Sequence, residues 1–90
     1  MTAPAPRCPV PYMQDGVDRY LTHGVPPGSF LTALFSNDLK LAFGKADDAN
    51  TAAMREWVGF MYNDMPSPSQ GSPENVQAWI ARFAVLDAAA

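Results

Sequence analysis

Apolar positions along this chain recur at helical spacing, and nowhere do they alternate as in a half-buried strand. Met13, Val17, Tyr20 and Leu21 mark a first helix over 12–23. Asp15 precedes Arg19 by four residues as a favourable surface pair, and Gly24 is the stop. Phe30, Leu31, Leu34, Phe35, Leu39, Ala42 and Phe43 mark a second helix over 29–43, capped by Ser29 and stopped by Gly44. Ser36, Asn37 and Asp38 all favour caps and offer a break as the alternative, but the spacing favours one continuous helix. A third helix over 48–65 is capped by Asp47 or Asp48. Ala49, Ala52, Ala53, Glu56, Trp57, Phe60 and Met61 lie along one side of it; Met54, Val58, Tyr62 and Met65 carry the apolar surface round a second. So wide an apolar surface predicts the central helix of the fold. A fourth, over 73–86, shows Val76, Trp79, Ile80 and Phe83 as its stripe. Its start signal is strong: a capping hydroxyl at Ser72, Pro73 at the first helical position and Glu74 in the first turn.

Proline punctuates the pattern. Pro4, Pro6, Pro9 and Pro11 crowd the N-terminus, Pro26 and Pro27 make a tight turn with Gly28, and Pro66, Pro68 and Pro73 bracket a linker loop over 66–71. The expectation is an all-α fold: a compact array of about four helices, with proline-rich loops and an extended proline-rich N-terminal arm. Residues 1–11 form the arm, either frayed or laid across a neighbouring surface through Val10 and Tyr12. Residues 12–87 form one helical domain, and 88–90 a frayed tail. The core should hold Leu31, Leu34, Phe35, Trp57, Phe60, Val76, Trp79, Ile80 and Phe83.

Ninety residues with 48% apolar and 11% aromatic content suffice for one modest core and no more. The net charge of −3 speaks against binding long nucleic acid, because Arg7, Arg19, Lys40, Lys45, Arg55 and Arg82 form no run. Cys8 is the only cysteine, so no internal disulfide or structural zinc site is expected, and a reducing compartment is the natural reading. With neither a leader-like N-terminus nor a membrane-length apolar run, the expected location is the cytoplasm.

Catalytic chemistry finds little support. His23, the only histidine, sits in the last turn of a helix, where complementing the helix dipole explains it. Asp47, Asp48 and Asn50 lack the glycine and distal glutamate of a calcium loop and read as caps. No cofactor and no metal are implied. Trp57 and Trp79 belong to apolar stripes, whereas the tyrosines are freer to serve as contacts. A compact anionic ligand needs only a few donors and a stacking surface. Arg55 with Tyr62, two turns later on the same helix, is the first candidate pair, and Arg19 with Tyr20 the second. The Gly28-Ser29 helix start could add backbone amides.

Two stretches, HGVPPGSFLTALFSNDL (23–39) and YNDMPSPSQGSPENVQAWIA (62–81), resemble a family of small proteins encoded in tailed bacteriophages and prophages. The likeness covers most of residues 12–81 and carries no site residues with it. It implies a setting, the bacterial host cytoplasm, and a style of action by binding and blocking. The first functional reading is therefore a non-catalytic counter-defence protein that sequesters a nucleotide-like signal such as a cyclic oligonucleotide, at Arg55, Tyr62, Arg19, Tyr20, Gly28 and Ser29. The alternative is a protein-binding inhibitor or adaptor that blocks a host or defence-system protein; a structural or regulatory phage protein is the third. Neither a membrane nor long nucleic acid is an expected partner. A homo-oligomer, most simply a dimer, is expected from the breadth of apolar surface on the third helix.

Overall fold

The computed structural model describes residues 6–89, with side chains up to Ala84. Within them lie six helices and no strand: α1 Gln14–His23, α2 Ser29–Phe35, α3 Leu39–Lys45, α4 Asp48–Ala52, α5 Met54–Asn63 and α6 Pro73–Ala89. Short 3-10 turns at Pro11–Met13 and Ser67–Ser69 precede α1 and α6. The fold is all-helical, as the periodicity predicts, but two of the four expected helices are divided.

The second divides at Ser36, Asn37 and Asp38, and the chemistry of those residues is the reason. Asn37 adopts a left-handed backbone (φ 64°), which asparagine tolerates better than most residues. The Asn37 N–H then bonds the Leu34 carbonyl (3.1 Å) and the Asp38 N–H the Ala33 carbonyl (2.9 Å), closing the end of α2. Asp38 goes on to cap α3, its carboxylate accepting from the Leu41 N–H at 3.1 Å. Continuous apolar spacing therefore loses to local capping. The third expected helix kinks at Ala53 (φ −96°, ψ 11°). A hydrogen bond spans the kink, from Trp57 Nε1–H to Asn50 Oδ1 (3.0 Å). Asp47 caps α4 through the Asn50 N–H at 2.8 Å.

Other boundaries shift too. Ser29 is not the cap of α2: Gly28 holds that position and no side chain caps the helix. Gly44 does not stop α3; it lies inside the helix, which runs on to Lys45. The expectation that α6 ends near 86 is early, since the helix continues to Ala89. Of the proline-rich arm, residues 1–5 lie outside the described part. The rest is bound to the domain, with Cys8 and Val10 buried. The Cys8 N–H donates to Gln14 Oε1 (2.8 Å) while Gln14 Nε2 donates to the Pro6 carbonyl (3.0 Å).

All nine expected core residues belong to the core, Ile80 and Phe83 as partly buried members at its edge. Tyr20, Phe35, Leu31, Val17 and Trp57 are almost wholly covered. Tyr20 stacks on Phe35 (ring centres 5.3 Å apart), and Trp57 meets both Phe30 and Phe60 edge-on at 5.8 Å. The 66–71 stretch is more than a linker. Ser69 is fully buried, its carbonyl accepts from the Tyr20 hydroxyl (2.6 Å), and the Gly71 N–H donates to the Phe35 carbonyl (2.7 Å). These bonds tie the loop beside the end of α2, where the groove described next is lined.

Candidate functional site

A groove of about 290 Å³ lies between α3 and α5. Buried Leu34, Ala42, Met54 and Met61 form its covered apolar part. Its open walls are Leu39, Val58 and Tyr62, which stay 66%, 42% and 84% exposed. The polar part comes from the α2–α3 junction, Asn37 and Asp38, and from Gln70 and Gly71 of the tied loop. Gln70 is itself held by donating its side-chain amide to the Met61 carbonyl (3.4 Å).

Each element presents these residues for a local reason. On α5, positions 54, 58, 61 and 62 share one face of a 3.6-residue helix, so buried methionines and exposed Val58 and Tyr62 form one continuous strip. On α3 only Ala42 is buried, whereas Leu39, Leu41 (47%) and Phe43 (44%) stay substantially exposed. The break at Asn37 ends α2 and starts a separate α3, which packs chiefly on α2 and leaves these leucine and phenylalanine side chains uncovered. Electrostatically the lining holds one charged side chain, Asp38, and no arginine or lysine.

The candidate contact residues scatter. Tyr62 lines the groove. Arg55 is exposed two turns before it on α5, between the lining residues Met54 and Val58 in sequence but not itself part of the lining. Arg19 is exposed on α1 and its Nε donates to the Asp15 carbonyl at 3.3 Å, in place of the carboxylate pair the spacing suggests. Tyr20 is a core residue: it is fully covered and its hydroxyl is spent on Ser69. Burial pushes that phenol up to about 12. Gly28 and Ser29 are exposed at the start of α2, a helix of only seven residues, and neither lines the groove. The six residues do not converge on one place. What sequence reasoning missed is the α3 contribution, Asp38 and Leu39; the signal for it was the Ser36-Asn37-Asp38 break.

A second, more open depression of about 430 Å³ lies between residues 9–12 and α4–α5, with Ala49, Ala52 and Glu56 on its far side. Beside it the Tyr12 hydroxyl donates to the Asp47 carboxylate. That bond holds the Asp47 carboxyl below the usual range, helped by the Asn50 N–H, and raises the Tyr12 phenol. Cys8 is buried and its thiol donates to the Val10 carbonyl (3.2 Å), with burial raising its pKa. A thiol so placed is a poor nucleophile. His23 is exposed in the last turn of α1. Trp57 and Trp79 are both core, and Arg82 lies over the Trp79 ring at 4.7 Å, a cation–π contact. Among the described residues no helix is long and apolar enough to cross a membrane, and no cluster of three or more His, Cys, Asp or Glu could hold a metal ion.

Compared with protein-family models, with curated proteins and with solved structures, the chain gives no match.

Proposed function

We propose that this chain is a non-catalytic binding protein whose α3–α5 groove takes a short apolar segment of another protein, with a cationic side chain placed to meet Asp38. The observation that carries the reading is the make-up of the groove: apolar floor and walls, two methionines, one negative charge and no basic residue. Methionine is unbranched and polarizable and adapts to apolar partners of varied shape, and a groove between helices is a common seat for an amphipathic helix. The likeness of residues 23–39 and 62–81 to small tailed-phage and prophage proteins supplies the setting. In that setting the protein acts in the bacterial cytoplasm, as a counter-defence inhibitor or adaptor covering a surface of a host or defence-system protein.

Sequestration of a nucleotide-like signal is the second reading. One observation favours it, the nearly free Tyr62 ring at the groove rim with exposed Arg55 on the same helix. Against it stands Asp38, the only charge an anion would meet inside the groove. Fluorescence anisotropy with labelled amphipathic peptides, ending in lysine or in glutamate, separates the two. The lysine peptide should bind and the glutamate peptide should not. Leu39→Ser or Val58→Ser should each weaken binding by roughly five- to tenfold, the loss expected for a useful interface side chain. Calorimetry with cyclic di- and trinucleotides is the opposing arm: heat that Arg55→Ala and Tyr62→Ala abolish would replace the protein-partner reading with the nucleotide one.

A further inference from the structure

Met54, Trp57, Phe60 and Met61 turn one side of α5 into the core. Turned outward are Arg55, Val58, Gly59 and Tyr62, at positions i, i+3, i+4 and i+7, which share one face of a helix. Arg55, Val58 and Tyr62 are exposed, the last at 84%, and Gly59 is half-buried. The face is apolar in its middle, with a cation at one end and an aromatic ring at the other. Arg55 and Tyr62 stand two turns apart, about 10.5 Å along the axis. Such a face is complementary to itself when a second copy runs antiparallel. A two-fold axis midway between residues 58 and 59 sets Arg55 of each chain against Tyr62 of the other, so a guanidinium meets a phenol ring at both ends. Val58 then meets its own copy on one side of the axis, and Gly59 its own copy on the other. The same patch serves both chains, as an isologous interface requires.

Gly59 agrees with a close neighbour. It lies in the middle of α5 without a positive φ, and a side chain at that position would meet nothing within 4 Å in its own chain. Glycine weakens a helix interior relative to alanine, and neither backbone conformation nor packing within the chain calls for it here. A second helix crossing at this point can approach more closely because no side chain stands in the way.

We infer that two copies of this chain pair through the outward faces of antiparallel α5 helices, crossing at Gly59, with Val58 at the centre and Arg55–Tyr62 cation–π contacts at both ends. The inference rests on the pattern of that face and not on the groove or on any outside partner. Arg55 and Tyr62 then serve each other across the axis, which two turns of separation prevent along one helix. Val58 and Tyr62 also wall the groove, whereas Arg55 and Gly59 lie outside its lining, so the two surfaces can be tested apart.

The test uses the full chain. A seam of two ten-residue helices is small, so sedimentation velocity should show a reversible dimer with a Kd of roughly tens to hundreds of micromolar. Gly59→Arg puts a long charged side chain at the crossing and should abolish the dimer. Melts of the dilute, monomeric protein should show it no less stable than wild type, since the position is open in its own chain and arginine favours a helix over glycine. Arg55→Ala and Tyr62→Ala should each weaken self-association by roughly five- to tenfold. The double variant should lose little more than Tyr62→Ala alone, because both replacements remove the same two contacts. On mild oxidation Val58→Cys should be trapped as a dimer through the two introduced thiols, and Glu56→Cys, off the face, should not. A wild-type chain that stays monomeric at millimolar concentration overturns the pairing. So does a dimer that survives Gly59→Arg, a double variant whose losses add in full, or equal trapping of the two cysteine variants. Absence of peptide binding from both wild type and Gly59→Arg sinks the groove reading and leaves the pairing standing.

Discussion

Around Tyr20 and Trp79, large rings are covered and their polar atoms are satisfied by backbone far away in sequence. The Tyr20 hydroxyl donates to Ser69, the Trp79 indole N–H donates to the Tyr20 carbonyl at 2.9 Å, and Phe83 packs edge-on against Trp79 at 5.5 Å. Along α3 and the outer flank of α5, large side chains are left to solvent: Leu39, Leu41, Phe43, Val58 and Tyr62. Both regions hold aromatic and aliphatic side chains on helices, so composition does not separate them. The covered region has long α6 to lie against, which packs on α1, α2 and the 67–69 turn, whereas α3 packs chiefly on α2. Burial in the first region carries stability; exposure in the second leaves free energy to be gained on association.

The contrast predicts a graded series of substitutions. The largest effect belongs to Trp79→Ala, which removes a buried ring, its partnered N–H and the seat of Arg82. Chemical denaturation should show a loss of about 3–5 kcal/mol. Gly24→Ala should follow. Gly24 ends α1 in the left-handed region (φ 66°), and an added Cβ would lie 2.5 Å from the Phe83 ring. Left-handed strain and overpacking together should cost about 2–4 kcal/mol. Gly71→Ala separates the two terms: its φ of 108° brings strain alone, for the nearest atom, of the Asn75 side chain, is 3.6 Å away.

Tyr20→Phe comes next. It leaves the Ser69 carbonyl unpaired in a buried setting, for a loss of about 1–2 kcal/mol near neutral pH. It also has a pH signature. Burial raises the folded-state phenol from 10 to about 12, so between those values the unfolded chain loses its proton and the folded one keeps it. Stability is therefore intact below pH 10 and falls as pH rises towards 12. Thermal melts of Tyr20→Phe across that window should show a shallower decline than wild type.

In the open region, the side chain most important for stability should be a cap rather than an apolar group. Asp38→Ala removes the acceptor for the Leu41 N–H and should cost about 1 kcal/mol, while Asp38→Asn should cost little. This residue also shows where sequence reasoning stops. Helical periodicity gave the fold class, the core residues and the Ser72-Pro73-Glu74 start, where Ser72 Oγ does accept from the Asn75 N–H at 3.0 Å. These are local or strongly periodic signals. The α2–α3 break was harder because two local rules conflict there: the apolar spacing runs straight through, while Asn37 and Asp38 offer a complete ending and a new cap. The groove was harder still. Its lining joins residues 34 and 71, and nothing in the spacing of either stretch says that Gly71 donates to Phe35. Tyr20 misled for the same reason, because its partner at Ser69 lies 49 residues away.

The smallest effect on stability should come from the most apolar-looking surface. Leu39→Ser and Tyr62→Ser each remove a side chain that is mostly in water already, so denaturation midpoints should move by less than about 0.5 kcal/mol. The same replacements remove apolar area from whatever docks there, and they should raise solubility while weakening peptide binding. Trp79→Ala should lower binding only in step with the fraction of chain unfolded. If Leu39→Ser instead lowered stability by several kcal/mol in the monomer, α3 would be packed in solution, and the division between a covered core and an open face would fail at its most exposed residues.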